Sequence, residues 1–109
     1  MAHRFVRATP IRDRLPELRT RLDAGDVEAM RPFGPALTAA LDDARYDPAT
    51  DEAVWVEEDY CSPPLAQERT VLDDYFTDLR IVESDVDPET GWDRIADLPG
   101  LWAALAADA

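Results

Sequence analysis

The shortage of large aliphatic side chains limits what this chain can fold into more than any motif does. Val, Ile, Leu and Phe together supply 24 of its 109 residues, while alanine alone supplies 17. That share is about 22%, barely above the roughly 20% level at which disorder becomes a live reading. There is material for one core but not two, so the reading is a single small domain over residues 1–109.

The charge is as lopsided as the core is lean. Acids outnumber bases 24 to 11, for a net charge of −13, and the bases are all arginine. Residues 1–21 carry Arg4, Arg7, Arg12, Arg14, Arg19 and Arg21 against Asp13 and Glu17, a basic head on an acidic body. This balance excludes a globally basic nucleic-acid binder. Aspartate dominates the acids and lysine is absent, which leaves little exposed methylene stem. Self-repulsion among such carboxylates is muted in molar salt, where the screening length falls to about 3 Å. In composition the chain resembles the small acidic proteins of halophilic archaea. The resemblance covers the whole chain, implies a salt-adapted cytosol, and brings no functional family or site residues with it.

One cysteine, Cys61, excludes an internal disulfide and fits a reducing compartment. No apolar run reaches signal-peptide or bilayer-spanning length, so the expected location is cytoplasmic and no membrane partner is expected.

Periodicity predicts an α+β fold: three or four helices on a small, mostly antiparallel sheet of two to four strands. Phe5 and Val6 suggest a strand over 3–9. Ile11, Leu15, Leu18 and Leu22 make one helical stripe, which Asp13 would cap and Gly25 would stop. Leu37, Ala40, Leu41 and Ala44 make a second stripe behind Pro35. Residues 53–57 read as a strand. Ser62 and Pro63 then announce a long helix with Leu65, Leu72, Tyr75, Phe76 and Leu79 on its buried face. Residues 80–84 read as a strand and 87–91 as a turn. A short helical turn over 92–97 and a last helix from Pro99 follow, with fraying over 106–109.

The chemical constellations are sparse. Cys61 stands just before an expected helix start, where a dipole lowers a thiol pKa, but the neighbouring acids Glu57, Glu58 and Asp59 oppose that. Its plainer reading is a buried structural cysteine. Glu68, one helical revolution after the Pro63–Pro64 pair, is the carboxylate worth watching. Its plainer reading is part of a rigid strand-to-helix corner. One His and one Cys make no ordinary zinc set, and the acidic clusters at 42–52 and 57–59 lack calcium-loop spacing, so no metal and no cofactor are expected. There is no phosphate loop and no nucleophile elbow.

Three functional readings follow. The leading one is a non-enzymatic protein-interaction or regulatory module, self-associating as a homodimer or holding another protein. Its surface would be formed by Trp55 and the arginine head, Arg12, Arg14 and Arg19 included. Trp55 supports it because a strand carrying large apolar groups on both faces would need a partner if helices covered only one. The second is a small hydrolase or transferase with Cys61 and Glu68 at its site. The third, ranked last, is salt-sensitive nucleic-acid contact through the N-terminal arginines, Arg4, Arg7, Arg12 and Arg14.

Overall fold

The computed structural model describes residues 2–106. Among these, the elements run β1 (Ala2–Pro10), a single 3₁₀ turn (Arg12–Arg14), α1 (Leu15–Asp23), α2 (Gly34–Asp42), β2 (Arg45–Asp47), β3 (Glu52–Asp59), α3 (Arg69–Leu72), β4 (Phe76–Glu83), α4 (Pro88–Arg94) and α5 (Leu101–Ala106). The strands form one sheet in the order β2-β3-β1-β4, antiparallel throughout. The architecture is α+β, with four strands and one more helix than the upper expectation.

The strand over 3–9 is real and longer than its poor alternation suggested. It lies between β3 and β4, with Phe5 opposite Val56 and Val6 opposite Trp55. Period-2 geometry then divides the apolar residues between two faces. Val6, Ala8, Ala53 and Trp55 face the main cluster with Leu15, Leu18 and Leu22 of α1 and Leu37, Ala40 and Leu41 of α2. Phe5, Val54 and Val56 face a smaller cluster completed by Val86 and Ile95. The sheet is therefore covered on both sides by its own chain.

Local chemistry explains where sequence and structure part. Asp13 does not cap α1; the 3₁₀ turn leads into it, and neither helix end has a side-chain cap there. The long helix expected from Ser62 is only the four-residue α3. Asp59 accepts the backbone N–H groups of Cys61 and Leu65, and Leu65 takes the left-handed region at φ 60°, so the chain there is a hydrogen-bonded loop. Phe76 and Leu79, read as a helical face, belong to β4, whose pairing with β1 outweighs their local preference. Asp87, read as the start of a turn, is the N-cap of α4 and accepts the Thr90 N–H at 2.9 Å. The expected terminal fraying falls, beyond the end of α5, outside the described residues.

Candidate functional site

β3 carries Trp55, Glu57 and Asp59 at every second position, hence on the helix-covered face. The two acids follow the tryptophan inward, and both are buried. The cluster at 57–59 is thus not the solvated surface its composition suggests; only Glu58, at the intervening position, is half-exposed. The loop after β3 returns Cys61 and Glu68 to the same place. Cys61 Sγ lies 3.6 Å from Glu68 Oε1, and donor atoms of Asp59, Cys61 and Glu68 all lie within 4.8 Å of one another. A cleft of about 380 Å³ opens on them, walled by Pro32, Phe33, Pro35 and Ala36 ahead of and within α2 and by Tyr60 at the end of β3.

Each acid here has a different environment. Asp59 Oδ2 accepts Arg4 Nε at 3.0 Å and Leu65 N at 2.8 Å, while Oδ1 accepts Cys61 N at 3.0 Å. Burial opposes its ionisation, but the Leu65 and Cys61 amides and Arg4 outweigh it and hold the carboxyl below the usual range. Glu57 Oε1 accepts the Trp55 indole N–H at 3.0 Å, and among the described residues Oε2 has no N–H donor. Glu57 lies against the Glu68 carboxyl, and a proton between the two makes the hydrogen bond they share. Burial first, and Glu68 second, push Glu57 well above the normal carboxylate range. Burial also raises Glu68, offset in part by the hydrogen bond with Glu57. The Cys61 thiol is raised by burial and by its acidic neighbours Asp59 and Glu68. It is a protonated thiol on a cleft wall, half-exposed rather than the buried structural cysteine expected.

The sequence candidates fare unequally. Cys61 and Glu68 are brought together. Trp55 is 0% exposed and engaged with Glu57, so it presents no surface for a partner. The uncovered sheet face on which the homodimer argument stood is filled by Val86 and Ile95. Arg12 takes Asp51 and lies over Tyr46, Arg14 takes Glu17, and Arg19 takes Asp23 and Asp42 while lying over Trp102. The basic head lies on its own acidic body. Glu57 and Asp59 were missed as site residues. The available signal was their alternation with Trp55, which on a strand puts all three on one face.

Comparison with family models, with characterised proteins and with solved structures finds no match to this chain. No helix among the described residues is long and apolar enough to cross a membrane.

Proposed function

We propose that the protein is a non-enzymatic cation-binding module whose working site is the cleft beside Glu68. The cluster on the cleft wall carries the reading: donor atoms of Asp59, Cys61 and Glu68 all lie within 4.8 Å of one another, and the Asp59 and Glu68 carboxyls are buried. A domain with so lean a core gains no stability from this. Burying carboxyls together costs desolvation, and apolar side chains of the same shape would serve as well or better. The arrangement suits the receiving half of an interaction in which a positively charged ligand supplies what the carboxyls lack. The hydrolase or transferase alternative is less well supported, because Asp59 and Glu68 oppose formation of the thiolate a nucleophile requires. The protein-interaction alternative relied on Trp55 and on arginines that are engaged within the chain.

The test is thermal unfolding in molar KCl with zinc, manganese, magnesium, methylguanidinium or spermidine added, on the parent and on Glu68→Gln. The expected result is at least one cation that raises the parent midpoint and leaves Glu68→Gln unmoved. Equal shifts in both proteins, or none in either, would overturn the reading.

A further inference from the structure

Resting on that reading, we infer that the cation is an arginine side chain, carried by an exposed segment of a basic partner protein and received by Tyr60 and Glu58 on the cleft wall. The chain contains three tyrosines, and the hydroxyl of each donates to a carboxylate. Tyr46 donates to Asp51 Oδ1 at 2.5 Å, Tyr75 to Glu17 Oε2 at 2.5 Å, and Tyr60 to Glu58 Oε1. The first two pairs each hold an arginine in the same way. Arg12 Nη2 lies 2.7 Å from Asp51 Oδ1, with its guanidinium carbon 5.7 Å from the centre of the Tyr46 ring. Arg14 Nη2 lies 2.8 Å from Glu17 Oε2, with its guanidinium carbon 5.2 Å from the centre of the Tyr75 ring. In both, the guanidinium takes the same carboxylate oxygen as the tyrosine.

The unit works because its parts act on different sides of one cation. The hydroxyl fixes the carboxylate beside the ring, the carboxylate takes the N–H groups, and the negative ring face attracts the guanidinium plane. Tyr46 and Tyr75 use it on arginines of the protein's own basic head, and Tyr75 is 1% exposed. Tyr60 is 69% exposed, and it and Glu58 both line the cleft. His3 Nε2 stands 3.9 Å from Glu58 Oε2, longer than a hydrogen bond, so that oxygen can accept a closer donor.

The cleft and the charge narrow the partner. Pro32, Phe33, Pro35 and Ala36 give an apolar wall for the methylene stem of the arginine, and the volume of about 380 Å³ is ample for one side chain. A body with a net charge of −13 repels a second copy of itself and attracts a basic surface. Arginine fits better than lysine. An ammonium is a compact, strongly hydrated point charge, whereas a guanidinium is planar, sheds water more readily and can stack on a ring while it donates to a carboxylate.

Nitrogen–proton NMR titration of the full chain in molar KCl with the end-blocked peptide Gly-Ala-Arg-Ala-Gly tests this. The controls carry lysine, or the uncharged isostere citrulline, in place of the arginine. The arginine peptide should shift the amides of Glu58, Tyr60, Phe33 and Ala36 saturably, the lysine peptide should bind at least about threefold more weakly, and the citrulline peptide should not bind. Tyr60→Leu, which keeps an apolar side chain without a ring, and Glu58→Gln should each weaken arginine binding at least about threefold, and Tyr60→Phe should lose less than Tyr60→Leu. Circular dichroism melts verify that each variant is folded. Equal binding of the arginine peptide and either control, or unchanged affinity in Tyr60→Leu and Glu58→Gln, overturns the inference. So does light scattering that finds the cleft closed by a second copy. If methylguanidinium or a metal ion protects the parent through Glu68 while the arginine peptide leaves Glu58 and Tyr60 unmoved, this inference fails and the cation-binding reading stands. If no cation protects, both fail.

Discussion

Glu57 sits where a side chain of its kind is expensive, and its two oxygens show why. One accepts the Trp55 indole N–H at 3.0 Å; the other lies against Glu68, and the hydrogen bond between the two carboxyls needs a proton. Replacing Glu57 by glutamine keeps the shape and lets the amide carbonyl accept from Trp55. The amide N–H₂ then faces Glu68 and donates to it without the proton uptake that folding demands of the raised Glu57 carboxyl. Glu57→Gln is therefore expected to raise the unfolding free energy by about 1 kcal/mol, which for a domain of this size is roughly 4–8 °C in the midpoint. A thermal or urea melt checks it, and a loss of stability would show that the carboxyl is better satisfied than its geometry indicates. Glu57→Ala should do the reverse, since it strands the indole N–H and opens a void. Little of this was legible beforehand. Cys61 and Glu68 stand close in sequence and invite pairing, but the inward turn of Glu57 and Asp59 follows from which face of β3 meets the helices.

Between the elements, two glycines mark where a neighbour, backbone at one and a side chain at the other, comes too close for a β-carbon. A β-carbon on Gly34 would lie 2.4 Å from the Val27 carbonyl oxygen and 2.5 Å from that of Glu28. One on Gly91 would lie 2.8 Å from a Val56 methyl, which is how α4 seats against β3. Backbone oxygens cannot turn aside, whereas a valine methyl gives slightly. Gly34→Ala should cost about 3 kcal/mol and Gly91→Ala about 1 kcal/mol, after the modest helix-propensity gain alanine brings. Urea midpoints in reverse order would contradict this account of the two contacts. The far face of the sheet supplies another test. Beyond its apolar half, Arg7 of β1 bridges Asp47 of β2 and Glu52 of β3 at 3.0 and 3.3 Å, and Arg80 of β4 reaches Glu52 at 2.5 Å. Arg80, with Arg7 behind it, holds the Glu52 carboxyl below its ordinary range against the opposing effect of burial. A depressed carboxyl stabilises the fold above its unfolded pKa of about 4.3, and that contribution is lost as pH falls through the folded value. The stability of Glu52→Gln should accordingly fall less than the parent's between about pH 5 and about pH 3. Helix α1 was readable because its apolar period is clean, and strand β3 because its run is β-branched and aromatic and bounded by acids. The stretch from Ser62 to Leu79 was not, because its residues fit a helical stripe while non-local pairing with β1 and the hold of Asp59 on the loop decided the outcome.

Over the whole molecule the charge asymmetry resolves into contact: the arginine head is spent on its own body, and the surplus is left to the acids. Arg4, Arg7, Arg12, Arg14, Arg19, Arg69, Arg80 and Arg94 each have a carboxylate within 4.0 Å. Most of these pairs are exposed, and an exposed pair contributes only about 0–1 kcal/mol, less in high salt. With 24 acids against 11 arginines, pairing still leaves a net charge of −13 on a body with a Cα radius of gyration of 12.8 Å. At about 0.1 M salt the screening length is about 10 Å, comparable with that radius, so the carboxylates repel across much of the molecule. At about 1 M it is about 3 Å, and only neighbours in contact still interact. Salt therefore weakens a few favourable pairs and removes a larger unfavourable sum. The unfolding midpoint is expected to rise from dilute buffer to molar KCl. If screening is the cause, the rise levels off near 1 M, where the screening length is already shorter than most charge separations. A rise that continues in proportion to concentration would instead point to ion exclusion and hydration acting on the lean core. Circular dichroism melts across a KCl series separate the two. A midpoint indifferent to KCl would detach the acid surplus from any salt-rich habitat and turn attention to the buried carboxylates alone.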